Sequence, residues 1–202
     1  MILVFDFDET LHQSDEIYKR AFYKTLNDNN IKSPSLNPLL YLGDPPRKIW
    51  DEFLDNSYDK EKLMKETGNN MISLMPKYGK LFENTEDVLK ILNKKYSIFI
   101  CSSCTKAYIN IAREIYNLDR YIESYLVGED FSYKEKYQIL YESINDDFIM
   151  IGDRLSDIMA GFKNNQISIF ANYGYSKENE GELSDYKIEK IEDILKIKVL
   201  SL

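Results

Sequence analysis

The residues best suited to chemistry stand directly after three short apolar runs of the sequence. The three clusters are Asp6 with Asp8 after residues 2–5, Ser102 with Ser103 after residues 98–101, and Asp153 after residues 148–151. Carboxylates and hydroxyls at such positions can hold a cation, attack an electrophile or carry a proton. They can act together only if the fold brings the three runs side by side.

The apolar runs have the character of buried parallel β-strands. They are rich in Ile, Val and Phe and do not alternate with polar residues, as expected when helices cover both faces of a sheet. The predicted strands are residues 2–5, 98–101, 148–151 and 167–170, with a weaker one at 124–127. Helix-period stretches lie at 85–94, 108–116, 136–144, 157–164 and 190–196. This alternation predicts an α/β fold with a Rossmann-like parallel sheet flanked by helices.

Residues 13–82 break the alternation, because they contain no strand-like run and carry apolar stripes at helical spacing. One stripe includes Ile17 and Phe22, and another includes Ile49 and Trp50. We therefore predict an inserted all-helical domain of residues 13–82 and an α/β core domain formed by residues 1–12 and 83–202.

The carboxyl edge of an open parallel sheet is where ligands bind, so the polar clusters should converge there. Asp6 and Asp8 are two residues apart on an extended segment and project to the same side. Together with Asp153 they would repel one another and raise one another's pKa, which implies a bound cation. With one histidine and two cysteines in the chain, the available ligands are oxygens, which favour Mg²⁺.

Composition excludes several classes of partner. The chain has 202 residues, and its 34 acidic and 26 basic side chains leave a net charge of −8, which argues against nucleic acid. A small anionic substrate remains compatible with a metal ion and one aimed lysine. The sequence has no apolar run long enough to span a membrane and no signal peptide, because Asp6 interrupts the apolar start. The two cysteines suit a reducing compartment, and we expect a cytoplasmic protein.

The polar clusters resemble, in order, the four motifs of the haloacid dehalogenase superfamily. The motifs are Asp6-x-Asp8-x-Thr10, Ser102 after a strand, a lysine, and Gly152-Asp153 with Asp157 four residues on. The helical insertion is similar to the small cap of the phosphoglycolate phosphatase and β-phosphoglucomutase branch, and Tyr173-Gly174-Tyr175 resembles a late segment of those phosphatases. The resemblance covers nearly the whole chain and implies Mg²⁺-dependent hydrolysis of a small organic phosphate monoester, phosphoglycolate-like or a sugar phosphate.

The resemblance also implies a role for each motif residue. Asp6 is expected to be the nucleophile that forms an aspartyl phosphate, and Asp8 the acid that protonates the leaving oxygen and then activates water. The expected Mg²⁺ ligands are Asp6, Asp153 and the backbone carbonyl of Asp8, with Asp157 supporting them. Hydroxyls that would contact Asp8 or the phosphoryl oxygens are those of Thr10, Ser102 and Ser103.

The motif lysine is either Lys134 or Lys136, and its charge would balance the transferring phosphoryl group. Lys134 is preferred, because Ile139 and Leu140 then fall where the helix after that lysine shows its apolar pair. From the cap, the loop of residues 43–47 is similar to a substrate-reading loop, and Arg47 is predicted to contact the substrate. The alternative is that Arg47 is a solvated residue at a helix start.

Asp8 favours phosphate chemistry over dehalogenation, since an alkoxide needs a proton to leave and a halide does not. Asp8 does not separate a phosphatase from a phosphomutase, and a non-catalytic binding module on the same fold is a third interpretation. Two positions leave their roles open: Glu9 stands where this branch usually has glycine, and His12 follows the first motif.

Overall fold

The main sheet follows the predicted α/β pattern. The computed structural model describes residues 1–33 and 35–200. Its strands are β1 (Ile2–Phe5), β2 (His12–Gln13), β3 (Lys80–Leu81), β4 (Ser97–Ser102), β5 (Ser124–Val127), β6 (Phe148–Gly152), β7 (Ile167–Ala171) and β8 (Tyr186–Ile188). Six of them form one sheet in the order β5-β4-β1-β6-β7-β8, and each neighbouring pair is parallel. The prediction of a parallel Rossmann-like sheet is confirmed.

All five predicted strands are present, and the sheet adds one that was not predicted. β8 has only three residues, and its central Lys187 is exposed, so it shows no apolar run. The predicted final helix is a 3₁₀ helix, Ile191–Lys196, rather than an α-helix.

Helices cover both faces of the sheet and explain its unbroken apolar strands. The helices of the core are α4 (Thr85–Leu92), α5 (Lys106–Tyr116), α6 (Lys136–Ser143) and α7 (Leu155–Lys163). Leu3 and Phe5 of β1 pack in one buried cluster together with residues of α4 and α5. Val4, between them, packs in a second cluster with residues of α6 and α7. Alternate side chains of β1 therefore enter different cores, and both sets must be apolar.

The inserted segment is helical, as predicted, except at its two ends, where Gln13 and Lys80–Leu81 belong to the short strands β2 and β3. It contains α1 (Asp15–Asp28), the 3₁₀ helix Pro38–Tyr41, α2 (Lys48–Phe53) and α3 (Lys60–Tyr78). These helices share a small core of their own in which the Phe22 ring packs at a tilt of 32° against Trp50, with ring centroids 5.0 Å apart. Ile17 and Met75 pack instead into the larger cluster beneath the sheet. We call this helical segment the cap and propose residues 13–82 as its extent.

The chain passes between core and cap twice, and the two connecting segments pair as β-strands. β2 and β3 form a short antiparallel ribbon in which His12 lies opposite Leu81. In residues 1–33 and 35–200, no helix has the length and apolarity needed to cross a membrane.

Candidate active site

The predicted polar clusters meet where the sheet reverses its direction of winding. From the central β1 the chain goes to β4 on one side and later returns to β6 on the other, which opens a crevice at the carboxyl ends of these strands. Asp6 follows β1, Ser102 ends β4 and Asp153 follows β6. Ser102 and Ser103 line the same cleft as Asp6 and Asp8, as predicted from their positions.

Asp6 is buried at the floor of this crevice and has one oxygen free. Its Oδ1 accepts a hydrogen bond from the Phe7 amide at 2.7 Å and lies 2.9 Å from the ammonium of Lys136. Its Oδ2 is buried and has no hydrogen-bond partner among the described residues. Burial raises the pKa of Asp6 to about 7, against the opposing charge of Lys136. A buried carboxylate with an unpartnered oxygen is unusual, and it marks a position where a further group is expected to bind.

The lysine at the site is Lys136, so the preference for Lys134 is wrong. Lys136 is buried, and its Nζ also donates to Asp157 Oδ1 at 2.5 Å. Burial acts to lower its pKa, but Asp157 and Asp6 outweigh that effect and raise the pKa. Lys134 is exposed and pairs with Glu142 at 2.8 Å. The reason lies in helical geometry: residues three and four apart share a face, so Lys136 lies on the buried side of α6 with Ile139 and Leu140.

Asp153 is fixed from two sides by hydrogen bonds. Thr10 donates its hydroxyl to Asp153 Oδ1 at 3.1 Å, and the Tyr175 amide donates to Oδ2 at 3.0 Å. The Thr10 hydroxyl is directed to Asp153, so the prediction that it contacts Asp8 is wrong, whereas its contact with phosphoryl oxygens stays a prediction. Burial, with the charges of Asp6 and Asp157, raises the pKa of Asp153 well above its usual range.

Two glycines allow the backbone to approach these carboxylates closely. A Cβ on Gly152 would lie 2.2 Å from Asp157, and one on Gly174 would lie 2.3 Å from the Cβ of Asp153. Neither position has room for a side chain without displacing a carboxylate. Gly174 belongs to the Tyr173-Gly174-Tyr175 segment, and Tyr173 donates its hydroxyl to the Thr10 carbonyl at 2.8 Å.

The carboxylates are arranged so that they could hold a cation. One oxygen each of Asp6, Asp153 and Asp157 lies within 4.8 Å of the others, and all three residues are buried. Both oxygens of Asp157 are engaged, by Lys136 and by the Arg154 amide at 3.0 Å, and both oxygens of Asp153 also accept hydrogen bonds, so in the described part of the chain the free oxygen of the cluster is Asp6 Oδ2. These ligands are hard oxygen donors, and one of them is buried without a hydrogen-bond partner in residues 1–33 and 35–200, which suits Mg²⁺ better than zinc.

Asp8 stands apart from this acidic cluster and is held by two hydroxyls. Tyr108 donates to Asp8 Oδ1 at 2.8 Å, and Ser14 donates a short hydrogen bond to the same oxygen. Among the described residues, no hydrogen bond reaches Asp8 Oδ2, and Asp8 lines the cleft together with Asp6. The two aspartates of the first motif thus have different surroundings, which is how neighbouring acids acquire different roles.

Comparison with known proteins identifies the family. Residues 3–172 match the model of the haloacid dehalogenase-like hydrolase family. The chain belongs to that family. None of the curated proteins matches the sequence.

Solved structures of similar fold cover nearly the entire chain. A structure described as a predicted phosphatase from Clostridium acetobutylicum has a TM-score of 0.80 and 23% identity, covering 100% of this chain and 98% of that one. A haloacid dehalogenase-like family hydrolase from Streptococcus pneumoniae has a TM-score of 0.82 and 17% identity, covering 96% of each chain. A predicted phosphoglycolate phosphatase from Haemophilus somnus has a TM-score of 0.77 and 18% identity, covering 97% and 96%. These likenesses establish the fold.

His12 of this haloacid dehalogenase-like hydrolase is buried behind Asp8 and does not line the cleft. Its ring stacks on Phe7, with centroids 5.0 Å apart, and its Nδ1 lies 2.8 Å from the Ser14 hydroxyl. Its Nε2 lies 2.9 Å from the hydroxyl of Tyr116. His12 therefore supports Ser14, one of the two groups that hold Asp8.

Glu9 occupies the usual glycine position because it accepts a left-handed backbone and caps a helix. Its φ is 59°, a conformation that glycine adopts easily. Its carboxylate accepts the amides of Ser14 at 2.6 Å and Asp15 at 2.8 Å at the start of α1. Negative charge at a helix N-terminus is stabilising, although burial raises the pKa of Glu9 to about 7.

Arg47 does not line the cleft, and its position at the start of α2 favours the alternative of a solvated residue at a helix start. Its contact with the substrate stays a prediction that this structure does not support. Its side chain is half exposed and pairs with Asp51 at 3.2 Å and Glu61 at 3.4 Å. The spacing of four residues between Arg47 and Asp51 already favours such a pair on a helix surface.

The arginine that links core and cap is Arg154, which the sequence did not single out. It is buried, donates its Nε to Glu180 at 2.9 Å, and donates Nη1 to the Leu42 carbonyl in the cap. In the sequence, the nearby indication that Arg154 matters is the motif residue Asp153 directly before it. The contacts of Arg154 join residues far apart in sequence, and no spacing pattern predicts them.

Proposed function

We propose that this chain is a Mg²⁺-dependent phosphatase that hydrolyses a small organic phosphate monoester through an aspartyl phosphate on Asp6. The observation that carries the proposal is the buried Asp6 carboxylate, which keeps one unpartnered oxygen beside Lys136 and shares its cleft with Asp8. The names of the neighbouring structures from C. acetobutylicum and H. somnus agree with this activity.

In the first step a carboxylate oxygen of Asp6 attacks phosphorus, and the bond between phosphorus and the ester oxygen breaks. Asp8 donates its proton to that departing oxygen, so that the alcohol leaves neutral. Ser14 and Tyr108 both bind Oδ1 of Asp8, which leaves Oδ2 to face the leaving group.

In the second step Asp8 takes a proton from water, and the water oxygen attacks the phosphoryl group on Asp6. The bond between Asp6 and the phosphoryl group breaks, which releases inorganic phosphate and restores the free Asp6 carboxylate. Ser102 lines the cleft beside Asp6 and can donate a hydrogen bond to a phosphoryl oxygen.

Lys136 supplies positive charge at the position where the transferring group is most negative. Asp157 fixes Lys136 by a hydrogen bond of 2.5 Å, so this cation is oriented before substrate arrives. Mg²⁺, held by Asp6, Asp153 and the Asp8 carbonyl, would supply further charge neutralisation and keep Asp6 ionised.

A phosphate-release assay tests the proposal. With Mg²⁺ present, the wild-type chain should release inorganic phosphate from a panel of phosphorylated metabolites, and excess chelator should abolish the release. Asp6→Asn should lose at least about 10³-fold in kcat because the amide is a poor nucleophile. Full activity of the Asn variant, or full activity in chelator, would contradict the proposal. Inorganic phosphate as the product also separates a phosphatase from a phosphomutase.

A further inference from the structure

The cap supplies an apolar wall to the cleft that contains Asp6 and Asp8. The cavity volume of this cap cleft is about 70 Å³. The cap side chains along it are Tyr18, Tyr41, Leu42, Trp50, Met64 and Met71. Tyr18 and Trp50 are buried, so their rings form a fixed part of the wall.

The cap cleft contains no cation that could bind an anionic leaving group. In the part of the chain that the structure describes, no Lys, Arg or His lines it, and its charged residues are Asp6, Asp8 and Asp44. Asp44 is paired with Lys48 at 3.0 Å and lies 3.8 Å from Arg154, so its charge is already balanced. A carboxylate placed here would be desolvated without a partner, which is costly.

The cap side of the cleft offers few hydrogen bonds to a sugar. Its hydroxyls belong to Tyr18, Tyr41 and Thr67, but Tyr41 already donates to Glu52 at 2.6 Å and Thr67 to the Leu63 carbonyl at 2.8 Å, so the hydroxyl of Tyr18 is the freer one. The indole Nε1 of Trp50 has no hydrogen-bond partner among the described residues, but it is buried and presents no surface to the cleft. An alcohol with several hydroxyls would leave most of them unpaired, whereas a single acceptor atom could be satisfied.

Lysines do occur in a second, outer cleft on the other side of the Gly43–Asp44 turn. Its basic residues are Lys48, Lys134, Lys136, Arg154, Lys163 and Lys177, and Ser103 also lines it, but Asp6 and Asp8 do not. The outer cleft therefore adjoins the site at Lys136, but an alcohol held there would lie away from Asp8, which must protonate the leaving oxygen.

We propose that the alcohol released by this enzyme is uncharged and mostly apolar, and that the cap cleft selects it by burying its hydrocarbon part against Trp50, Met64 and Met71. The inference rests on the proposed phosphatase function and narrows it. It also departs from the expectation of a phosphoglycolate-like or sugar phosphate substrate.

A homologous series of alkyl phosphates tests the proposal, since its members differ in buried length and little in leaving-group chemistry. From ethyl to butyl phosphate, kcat/KM should rise about fourfold for each methylene that the cap cleft buries. A butyl ester with a terminal carboxylate, phosphocholine and glucose 6-phosphate should each fall at least tenfold below butyl phosphate. A flat series, or a preference for any of these three esters, would overturn the proposal.

Gly68 is a position with free space at which a side chain can be added to the cleft. It lines the cap cleft on α3, and a Cβ there would meet nothing within 4 Å. Gly68→Leu should lower the ratio of butyl to ethyl phosphate activity about tenfold, and Gly68→Arg should raise the relative activity on the carboxylated ester. Gly68→Ala is the matched control for backbone effects, since alanine favours a helix. Lys177→Ala, in the outer cleft, should leave the ratios unchanged.

Binding can be measured without turnover, because Trp50 is the single tryptophan of the chain. Butylphosphonate, which cannot be hydrolysed, should change the Trp50 fluorescence in the presence of Mg²⁺ and bind at least tenfold more tightly than a carboxylated analogue. Tighter binding of the carboxylated analogue would overturn the proposal. If no ester is hydrolysed but butylphosphonate still binds more tightly than the carboxylated analogue, the proposed phosphatase function fails while the apolar binding site stands.

Discussion

The core edge and the cap wall of the same cleft are built in opposite ways. At the core edge, Asp6, Lys136 and Asp157 form a buried chain of charges, and every member contacts another. At the cap wall, Trp50 and Met64 belong to an apolar cluster. Under the proposed function, the core edge would meet the phosphoryl group, which all phosphate esters share, and the cap wall would meet the alcohol, which differs among them.

The contrast shows why one part of the site is visible in sequence and the other is not. Asp6 and Asp153 follow buried strands directly, so the position of each carboxylate is fixed by local chain order. The cap wall combines residues of α1, α2 and α3, whose side chains meet only after packing. The residues proposed for catalysis therefore follow strand ends and can be found in the sequence. The residues proposed for substrate selectivity come together only through tertiary packing.

The largest expected effect separates the two candidate lysines at the core edge. Lys136→Met should lower kcat about 10²- to 10³-fold, because it removes the charge that faces the transferring group and leaves Asp6 and Asp157 to repel each other. Lys134→Met should change kcat by less than twofold, since it removes only an exposed pair with Glu142. Steady-state kinetics on one ester, with thermal melts to verify folding, measure both. Equal losses in the two variants would contradict the assignment of Lys136.

A smaller effect is expected where the two regions meet at Asp8. Tyr108→Phe should lower kcat for an alkyl phosphate about tenfold with KM unchanged, because it removes one hydrogen bond to a charged acid but retains the ring packed against Phe7. An aryl phosphate, whose alcohol leaves without a proton, should lose less.

Tyr116→Phe is the matched control for this prediction, since its hydroxyl contacts His12 rather than Asp8. It should have a smaller effect on kcat than Tyr108→Phe. If alkyl and aryl esters lose activity equally in Tyr108→Phe, this tyrosine stabilises the fold and does not position the acid.

The smallest expected effect concerns the link between core and cap. Arg154→Met should raise KM several-fold, because it releases the Leu42 carbonyl and leaves Glu180 without its cation. Arg47→Met should leave both kcat and KM within about twofold, since Arg47 pairs only at the exposed surface. Kinetics on the best alkyl ester compare the two variants. A larger loss in Arg47→Met would restore the original interpretation of Arg47.

The sequence predicted the sheet well because its strands are short, continuous apolar runs with helices between them. Predictions from the sequence failed where they depended on which face of a helix is buried or on a contact between residues far apart in the chain. Ile139 and Leu140 correctly marked the buried face of α6, but that face includes Lys136, three and four residues earlier, and excludes Lys134. Thr10 lies in the predicted cluster, but its hydroxyl bonds Asp153, which is 143 residues away in the chain, rather than Asp8.

Other features had no local signal at all. Ser14 and Tyr108 hold Asp8 from different elements, 94 residues apart in the chain. β8 is too short and too polar at its centre to show a strand pattern. These contacts follow from tertiary packing, which no single stretch of sequence specifies.

The central claim is that Asp6 carries the phosphoryl group, and trapping the intermediate tests it most directly. In Asp8→Asn, an aryl phosphate should still phosphorylate the protein, because its phenolate leaves without a proton, but water should no longer be activated. Acid quenching and mass spectrometry of the peptides should then locate one phosphoryl group per chain, on Asp6. A phosphoryl group on any other residue, or rapid phosphate release with no labelled peptide, would contradict the account.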